Sequence, residues 1–490
     1  MANKGMDIFS YFRDKGIDTP DASFYRQIEV WRSWYNSNVK KFHKYRVYRG
    51  NGSYVNCQRY SLGMAKKACE DMADLLLNER VAIAIADQAT DAFVKGVLEA
   101  NTWEELGNEY QEWKAALGTA AYVVYIKDAM VDEAGNMVGG SVGINYVEAA
   151  NIYPTSWQNK VVTECIFTFP KTYKRKKYIH FQYHKMEDVR GEGRRQYVVE
   201  NTVVEDTAGA GRELAPEQWE EIPAFKGLAG RTETGSDKPL FIIDRLNTVN
   251  NADEDATNPM GVSLFAGGID SVRKIDLEYD SYANEFSLGR KRLFVAPEFL
   301  SNEDGSPVFD PDDSVFYELP DEYFKSAESK EAIREVNMEL RVEEHSKAIN
   351  DDLNWFSFKC GFGTDRYKFE GGQVKTATEV ISKNSDMYRT LQKHELVLNR
   401  VLVQLVQTIV RAGISIGVPG LKEDTEVTIA FDDSIIEDKT TERQNDRQDV
   451  AMGAMSLAEY RAKWYGETLE EAKKNLPEQF DNGGNGGAIP

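Results

Sequence analysis

The stretch PMGVSLFAGGIDSVRKIDLEYDSYANEFSLGRKR, residues 259–292, decides the architecture of this 490-residue chain. Its apolar or aromatic residues recur every three or four positions, at Phe265, Ile269, Val272, Ile275, Tyr279, Tyr282 and Phe286. This spacing predicts one continuous apolar stripe on a helix of about eight turns. The basic cluster Arg290, Lys291 and Arg292 follows, where it suits the negative end of the helix dipole.

The residues after this helix predict a small β module and a second long helix. The insert 293–327 contains two strand-like runs, LFVAPEFL and SVFYELP, separated by a NEDGSP turn. The second helix is predicted over 329–356, and between Glu328 and Asp352 there are eight carboxylates against four Lys or Arg. Its apolar positions are Ile333, Val336, Leu340, Ile349, Leu353 and Phe356. Two long helices joined by a small β module favour a lever or a channel wall over an enzyme pocket.

The chain before residue 259 divides into a helical part and a β-rich part. Residues 1–120 are predicted to be mainly helical, with helical spacing between Ser61 and Arg80. Short β-rich runs separated by turns fill 120–245 and predict a meandering antiparallel sheet. Residues 246–258, NTVNNADEDATNP, have the composition of a linker.

Beyond the second helix, the glycine-bounded loop 361–375 precedes a third long helix. The sequence TATE predicts a capping box, with Thr376 as N-cap and Glu379 at N3. Gly413 is predicted to stop this helix, and a lone strand follows at 426–431. Acidic helices and a GGNGG tail, expected to be disordered, end the chain.

Composition predicts a globular, intracellular protein of two to four subdomains. Hydrophobic residues make up 41% of the chain and aromatic residues 11%. No apolar run approaches the roughly 18 residues that cross a bilayer, so no membrane contact is expected; AALGTAAYVVYI at 115–126 is predicted to be a buried segment. The N-terminus lacks the apolar core of a signal peptide. The four cysteines form no CxxC pair and are expected to be reduced, buried thiols.

The charge is strongly acidic but uneven. A formal net charge of −21 argues against nucleic-acid binding over most of the surface, because phosphate contacts depend on Lys and Arg. From Trp31 to Cys69, however, there are nine Lys or Arg and no Asp or Glu, with aromatic residues interleaved. A second basic cluster, KTYKRKK, spans Lys171 to Lys177. Both clusters are compatible with a solvated face or with local contact to nucleic acid or an acidic partner.

Catalytic and metal-binding motifs are weak. The one GxSxG match, Gly413 to Gly417 around Ser415, follows a helix instead of a strand, so a serine nucleophile is not expected. His180 and His184 lie on a predicted strand, where positions i and i+4 are about 13 Å apart and cannot share a metal. His394-Glu395 has no second histidine, and there is no P-loop. Three acidic clusters lack the EF-hand pattern, namely Asp253-Glu254-Asp255, Asp310 with Asp312 and Asp313, and Asp432-Asp433. We therefore expect no enzymatic activity, cofactor or metal.

The order of elements and four stretches of sequence resemble the portal proteins of tailed bacteriophages, in the subgroup found in siphophages of Gram-positive hosts. The stretches are MAKKACEDMADLLLNERV (64–81), NYVEAANIYPTSW (145–157), residues 259–292 and KTATEVISKNSDMYRTLQKHE (375–395). The resemblance implies an α+β portal fold with wing, long-helix stem, small β-containing clip, tunnel loop and helical crown.

The implied regions can be placed on this sequence. They are the wing at 1–245, the linker and first stem helix at 246–292 (the helix itself at 261–289), the clip at 293–327, the second stem helix at 328–357, the tunnel loop at 358–375, the long wing or crown helix and returning strand at 376–440, and the helical crown with its tail at 441–490. The tunnel-loop residues would be Gly361, Gly363, Thr364, Arg366, Lys368, Gly371, Gly372 and Lys375. In such a loop the four glycines would let the backbone change shape at low steric cost, and Arg366, Lys368 and Lys375 would make weak, transient contacts with DNA. Arg290, Lys291 and Arg292 would lie at the junction of stem and clip.

In function, the resemblance implies a dodecameric ring at one capsid vertex, through which double-stranded DNA passes during packaging and ejection. The implied partners are further copies of the chain, the terminase large subunit, a head-completion or adaptor protein, and the major capsid and scaffolding proteins. The protein would be part of the virion and would be assembled in the host cytoplasm.

Two other functions stay open from the residues alone. One is a nucleic-acid-binding scaffold that uses the basic segment 31–69, and the other is a hydrolase that uses Ser415.

Overall fold

A computed structural model gives the fold of the chain, which divides into two compact units. The first unit comprises residues 1–371 and 389–431, and the second comprises 372–388 and 432–490. The structure describes residues 6–48, 52–78, 81–128, 130–131, 137–189, 193–207, 210–289, 292–295, 316–318, 333–369, 377–431, 439–465 and 469–476.

The N-terminal part is mainly helical, as predicted, but it also contains three strands. Its helices are α1 (Ile8–Asp14), α2 (Ala22–Tyr35), α3 (Met64–Leu76), α4 (Gln88–Ala100) and α5 (Trp103–Leu117). The strands are β1 (Lys44–Tyr48) and β2 (Tyr54–Gln58), which form an antiparallel hairpin, and β3 (Ala82–Ile85). Large side chains such as Phe12, Phe24 and Trp31 are fully buried and form the core of this part.

The central part is β-rich, and the predicted antiparallel meander is confirmed in one of its sheets. Its elements are β4 (Thr119–Lys127), β5 (Met130–Val131), β6 (Met137–Val138), β7 (Ser141–Glu148), β8 (Ile152–Gln158), β9 (Val161–Tyr173), β10 (Lys176–Asp188), β11 (Arg195–Thr207), β12 (Ala210–Leu214), the short helix α6 (Pro216–Trp219), β13 (Arg231–Glu233) and β14 (Phe241–Arg245). Strands β8 to β12 pair in chain order, and β13 pairs with β11. The buried run predicted at 115–126 is the end of α5 followed by β4, which lies between β14 and β7 in a separate sheet.

A buried ion pair joins this second sheet to α5. The Nζ of Lys114 lies 3.1 Å from Asp244 Oδ1, and both side chains are almost completely buried. Gln111 Nε2 donates to Asp244 Oδ2 at 2.8 Å. Burial lowers the pKa of Lys114, although the charge of Asp244 opposes that shift. The pair fixes the position of α5 on the sheet, and losing either partner would leave a buried charge.

The first long helix, α7 (Ile269–Leu288), begins later than predicted. Residues 259–265 are not helical, because their backbone groups bond elsewhere: Leu264 N–H donates to Ala115 O at 2.8 Å. The segment also passes so close to the end of α5 that a Cβ on Gly261 would lie 2.2 Å from the carbonyl oxygen of Gly118. The predicted helix over 261–289 is therefore wrong for its first two turns, and a short 3-10 turn at Ala266–Gly268 leads into α7.

The predicted second helix is also shorter than its sequence pattern indicates. Strands β15 (Arg292–Val295) and β16 (Phe316–Glu318) form the expected β module, and they pair in parallel. A further strand, β17 (Ile333–Val336), pairs antiparallel with β15, so the helix predicted from 329 is wrong at these positions. The helix α8 runs over Val342–Lys359. The cluster Asp310, Asp312 and Asp313 lies outside the described residues.

The third long helix, α9, spans Ala377–Ser415, so the predicted helix over 376–412 is confirmed and extended. Gly413 does not stop it; a Cβ there would lie 2.6 Å from the ring of Phe93, which shows that this glycine is needed for packing. The helix ends instead at Ser415, and the chain leaves it at Gly417, where φ is +81° and the next residue, Val418, donates its N–H to Gly413 O at 3.1 Å. The predicted capping residue Thr376 lies outside the described residues.

The strand predicted at 426–431 exists as β18 (Val427–Ala430), but it is not alone. It pairs antiparallel with β3, with Val427 opposite Ile85. In the second unit, α10 (Lys439–Ala451) is linked to α11 (Leu457–Tyr465) by Asp446, which accepts from Lys463 Nζ and from Trp464 Nε1, both at 2.8 Å. Helix α12 (Leu469–Lys474) follows, and both Asp432-Asp433 and the glycine-rich tail lie outside the described residues.

Among the residues that the structure describes, one helix segment has the length and composition of a membrane span. It is Asp386–Ser415 in α9, with a mean hydropathy of 1.3, although no such segment was predicted from the sequence. Within the protein, however, 61% of its most apolar window is buried, which is the pattern of a core helix. Its apolar character is therefore explained by packing within the chain.

Candidate channel wall and loop

Helices α7 and α8 pack against each other as an antiparallel pair. Their facing apolar positions are buried, namely Val272, Ile275, Ile349, Leu353 and Phe356. Polar contacts join the pair along its length. Lys359 Nζ donates to Ser271 Oγ at 3.1 Å, Lys274 Nζ lies 3.3 Å from Asp352 Oδ1, and Arg341 binds both carboxylate oxygens of Glu285 at 3.0 and 2.8 Å.

Two acidic residues of the pair have strongly altered pKa values. Burial, followed by the negative charge of Asp352 on α8, raises the pKa of Glu278 to about 7. Lys274 opposes this shift but does not cancel it. At the other end, hydrogen bonding from Arg341 lowers the pKa of Glu285 to about 2. Glu278 is therefore expected to change its charge near neutral pH, whereas Glu285 stays ionised there.

On the face of α7 that points away from α8, Asp276 binds residues on both sides of the β1–β2 hairpin. This carboxylate is 1% exposed. It accepts hydrogen bonds from Ser61 Oγ and from the backbone N–H of Leu62, both at 2.9 Å. His43 Nε2 lies 3.0 Å from the other oxygen, and because His43 Nδ1 accepts from Val39 N–H at 2.9 Å, Nε2 is the nitrogen that carries the proton.

One turn further along α7, Asp280 makes a second set of contacts with the same segment. Its Oδ1 accepts from the backbone N–H of Tyr60 at 3.1 Å, and its Oδ2 lies 3.5 Å from Arg59 Nε. The Arg59 guanidinium is positioned over the rings of Phe42 and Tyr45, at 4.3 and 4.9 Å from their centroids. Asp276 and Asp280 together fix the base of the hairpin to the helix.

The loop that follows α8 begins with a defined helix cap. Gly361 N–H donates to Phe358 O and Phe362 N–H donates to Ser357 O, both at 3.0 Å, which is the Schellman arrangement. Gly361 has a φ of +82°, and a Cβ there would lie 2.7 Å from the side chain of Thr390. The sequence suggested that this glycine gives the loop freedom to move, whereas in the structure it ends a helix in a packed position.

The loop then folds back onto α8. Asn354 Oδ1 accepts from the backbone N–H of Asp365 at 3.2 Å, and Asn350 Oδ1 accepts from that of Phe369 at 3.0 Å. The ring of Tyr367 contacts the rings of Phe356 and Phe362, with centroid distances of 6.3 and 6.0 Å. Residues 361–369 thus form an ordered turn on the helix pair.

Asp71 on α3 is the partner of the loop's first cation. Arg366 Nε lies 3.6 Å from Asp71 Oδ2, while Lys67 Nζ donates to Asp71 Oδ1 at 2.7 Å. Burial and the nearby charge of Asp71 raise the pKa of the Tyr367 hydroxyl well above its usual range. The positive charge predicted to face DNA is partly neutralised by this buried carboxylate.

The other predicted loop and junction residues are placed as follows. Thr364 and Lys368 are exposed, whereas Gly363 is buried with a φ of +76°. Arg292 begins β15. Outside the described residues lie Gly371, Gly372, Lys375, Arg290 and Lys291.

The basic segment 31–69 is only partly available as a positive surface. Within the described part of the chain, four of its nine cations pair with carboxylates: Arg32 with Glu148, Arg59 with Asp280, Lys66 with Glu70, and Lys67 with Asp71. Exposed cations remain next to and within β1, namely Lys40, Lys41, Lys44 and Arg46. The cluster at Lys171–Lys177 covers the end of β9, the exposed turn at Lys174 and Arg175, which have positive φ values, and the start of β10.

The weaker motifs have structural explanations. Ser415 Oγ donates to Ala412 O at 2.8 Å within the last turn of α9, which is not the strand-to-helix turn of a nucleophilic serine. His180 and His184 lie on β10 as predicted, and His394 Nδ1 accepts from Asn247 N–H at 3.1 Å. Among the residues that the structure describes, no group of three or more His, Cys, Asp or Glu is arranged to hold a metal ion.

The acidic residues that organise this region were not predicted from the sequence. Asp71, Asp276 and Asp280 are all less than 8% exposed, yet each is a carboxylate on a helix face that also carries apolar residues. That mismatch was a usable sign, because a carboxylate on a buried helix face needs hydrogen-bonding partners. Except for Lys67, four residues before Asp71, those partners lie more than 200 positions away in the chain, where no local pattern indicates them.

Comparison with known proteins identifies the family of the chain independently of its structure. Among proteins with curated functional descriptions, none matches the chain significantly in sequence. Residues 14–479 match the family described as "Phage portal protein, SPP1 Gp6-like", which covers nearly the whole chain. The chain therefore belongs to this family of phage portal proteins.

Proposed function

We propose that this portal protein assembles into a ring, twelve copies being the number implied by the resemblance, around an axial channel for double-stranded DNA. Helices α7 and α8 form the stem that lines the channel. The sheet β15–β17 forms the clip, which binds the terminase large subunit during packaging and a head-completion protein afterwards. The ring stands at one capsid vertex in contact with the major capsid and scaffolding proteins, after assembly in the host cytoplasm.

Exposed apolar side chains on the helix pair carry this proposal. Leu277 and Phe286 on α7 and Trp355 and Phe358 on α8 are 46%, 46%, 62% and 67% exposed. Phe369 in the adjoining loop is 74% exposed. Large exposed apolar patches are characteristic of interaction surfaces, and a ring covers them by packing the helix pairs of neighbouring copies side by side.

The charges of α8 support a channel through which DNA slides instead of binding. Glu343, Glu344 and Asp351 are exposed on this helix. Repeated around a ring, these carboxylates repel the phosphates and keep the duplex central, because each neutralised phosphate would add affinity. The described part of the loop offers two cations, Arg366 and Lys368, for weak and transient contacts as the loop narrows the channel.

Negative-stain electron microscopy of the purified protein tests the ring. We expect rings with an axial hole, and weak binding of short duplex DNA at moderate salt. The double variant Trp355→Ser, Phe358→Ser should lose rings, whereas Leu396→Ser, which removes a 73% exposed leucine from α9, should keep them. Rings that persist in the double variant would refute the side-by-side packing of the helix pairs.

The loop is tested separately. The double variant Arg366→Glu, Lys368→Glu should assemble into rings but package or retain DNA poorly. Normal packaging and retention by those rings would refute the role of the loop and leave the ring itself unaffected.

A further inference from the structure

The hairpin β1–β2 is a two-stranded sheet with two chemically different faces. Directly opposed residues share a face, and the register pairs Tyr45 with Cys57 and Val47 with Val55. These four residues form an apolar face. The other face carries the pairs Lys44 with Gln58, Arg46 with Asn56, and Tyr48 with Tyr54.

Both faces are accessible in the single chain. All six residues of the polar face are exposed, with Tyr48 at 59% and Tyr54 at 65%. On the apolar face Val47 is 43% exposed, and Tyr45, Val55 and Cys57 are only half-buried. A two-stranded hairpin is marginally stable on its own in water, so an amphipathic one is expected to be covered by something.

The hairpin is nevertheless held firmly at its base. Asp276 and Asp280 of α7 bind the residues on both sides of it, and Arg59 is stacked on Phe42 and Tyr45. Fixing the base in advance lowers the entropy that a binding partner must overcome. The hairpin is therefore presented as a rigid arm and not as a loose loop.

Charge indicates what covers this arm. The segment 31–69 contributes nine positive charges, so the rest of the chain carries −30 when the whole carries −21. The four cations next to and within β1, Lys40, Lys41, Lys44 and Arg46, have no described carboxylate within ion-pair distance. The acidic remainder of another copy is thus complementary to the arm, and an apolar face with Tyr and Arg beside it is typical of protein interfaces.

We propose that the β1–β2 hairpin is an assembly arm that packs on the acidic surface of a neighbouring copy of this chain, with Tyr45, Val47, Val55 and Cys57 against that copy. Duplex DNA fits less well, because phosphates would engage the cations and leave the apolar face uncovered. This inference rests on the proposed ring and specifies one of its contacts.

A natural cysteine, Cys57, can report whether this contact forms. Cys57 lies on the apolar face and is half-buried, whereas Cys69, Cys165 and Cys360 are buried. Burial also raises the pKa of those three thiols, which slows their reaction further. Maleimide labelling of the folded protein therefore reports on Cys57, and a Cys57→Ser variant gives the background.

The experiment compares labelling of Cys57 in separated monomers and rings. We expect ring formation to slow labelling at least tenfold. Rings in which Cys57 reacts at the monomer rate would overturn the arm and leave the proposed ring intact, whereas wild-type protein that forms no rings would contradict the proposed function. Protection of Cys57 in the monomer by a short DNA duplex, with no protection in rings, would also overturn the proposal in favour of a nucleic-acid contact.

A charge insertion gives a second test. The double variant Val47→Glu, Val55→Glu should stay monomeric, or form rings only at protein concentrations at least tenfold higher. Val161→Glu, at a 57% exposed valine that begins β9, is the matched control and should assemble normally. Because Val47 and Val55 lie on an accessible hairpin, circular dichroism should show the fold of the monomer unchanged, and normal ring assembly by the double variant would overturn the proposal.

Discussion

Replacing Asp276 by Asn tests whether this buried carboxylate fixes the hairpin arm to the first long helix. The carboxylate accepts from Ser61 Oγ, Leu62 N–H and His43 Nε2–H, and it is 1% exposed. An amide of the same shape has one oxygen and one NH2 group. In either orientation its NH2 group faces a donor, because His43 Nδ1 is occupied as an acceptor by Val39 N–H.

The size of the effect follows from these contacts. A hydrogen bond to a charged group contributes about 1.5–3 kcal/mol, and the substitution loses at least one while placing two donors face to face. We expect local opening of the arm to become easier by about 2–3 kcal/mol. At 1.4 kcal/mol per factor of ten, this corresponds to amide exchange about 30- to 140-fold faster.

Hydrogen–deuterium exchange on peptides covering 43–62 measures this opening directly. Asp270→Asn is the matched control, since Asp270 is an exposed acid in the first turn of the same helix. That change should alter exchange in 43–62 by less than about threefold, because an exposed first-turn acid contributes only about 0.3–1 kcal/mol, and it contributes this to the helix end. Equal exchange in 43–62 for the two variants would refute the reasoning. Acceleration spread equally over β9 and β10 would also refute it, because the effect would then be global.

Three further predictions concern other parts of the structure. In thermal unfolding, Gly361→Ala should destabilise the protein by about 2–3 kcal/mol and Gly417→Ala by about 1 kcal/mol. Both glycines have a positive φ, but only at Gly361 would the added Cβ meet a side chain, so equal losses would contradict the packed loop. In the wild-type protein the free energy of unfolding should fall as pH rises from about 4.5 to 7, because the raised pKa means that the folded state holds the Glu278 proton more tightly than the unfolded state does. Glu278→Gln should make this fall smaller by about 1 kcal/mol, and an unchanged pH profile would contradict this. Lys114→Met should cost about 3–5 kcal/mol by leaving Asp244 buried and unpaired, and adding Asp244→Asn should recover part of it; a single variant as stable as wild type would show that the pair is not needed.

Local periodicity predicted the three long helices but placed the starting points of the first two too early. The spacing of Ile333 and Val336 fits one helical turn, and it equally fits the two ends of a four-residue strand. These residues form a strand because they pair with Arg292–Val295, which lies about 40 residues earlier in the chain. Likewise, Gly261 is excluded from a helix by contact with Gly118, and no pattern within 259–292 contains that contact.

The candidate site shows the same limit. The family, the mixed α and β fold and the helix–β–helix order could all be obtained from the sequence, because they depend on patterns repeated over many residues. The acidic contacts at Asp71, Asp276 and Asp280 could not, because each depends on one side chain meeting a distant segment.

The loop after α8 illustrates how such contacts change the mechanism. The sequence suggested that glycines make the loop mobile and that Arg366 is its active charge. In the structure Arg366 is only 3.6 Å from Asp71 and its side chain is 35% exposed, so breaking this ion pair costs about 1 kcal/mol or less. Asp71 would moreover keep Lys67 at 2.7 Å.

Lifting Tyr367 off Phe356 and Phe362 costs more, because exposing a large aromatic side chain loses about 2 kcal/mol and each ring pair adds about 0.5–1.5 kcal/mol. Aromatic packing, and not charge, therefore sets the energy needed to release the described part of the loop. It follows that Tyr367→Ala should free the loop more than Arg366→Gln does. An exchange experiment on residues 361–369 that ranked the two variants in the opposite order would show that the ion pair holds the loop.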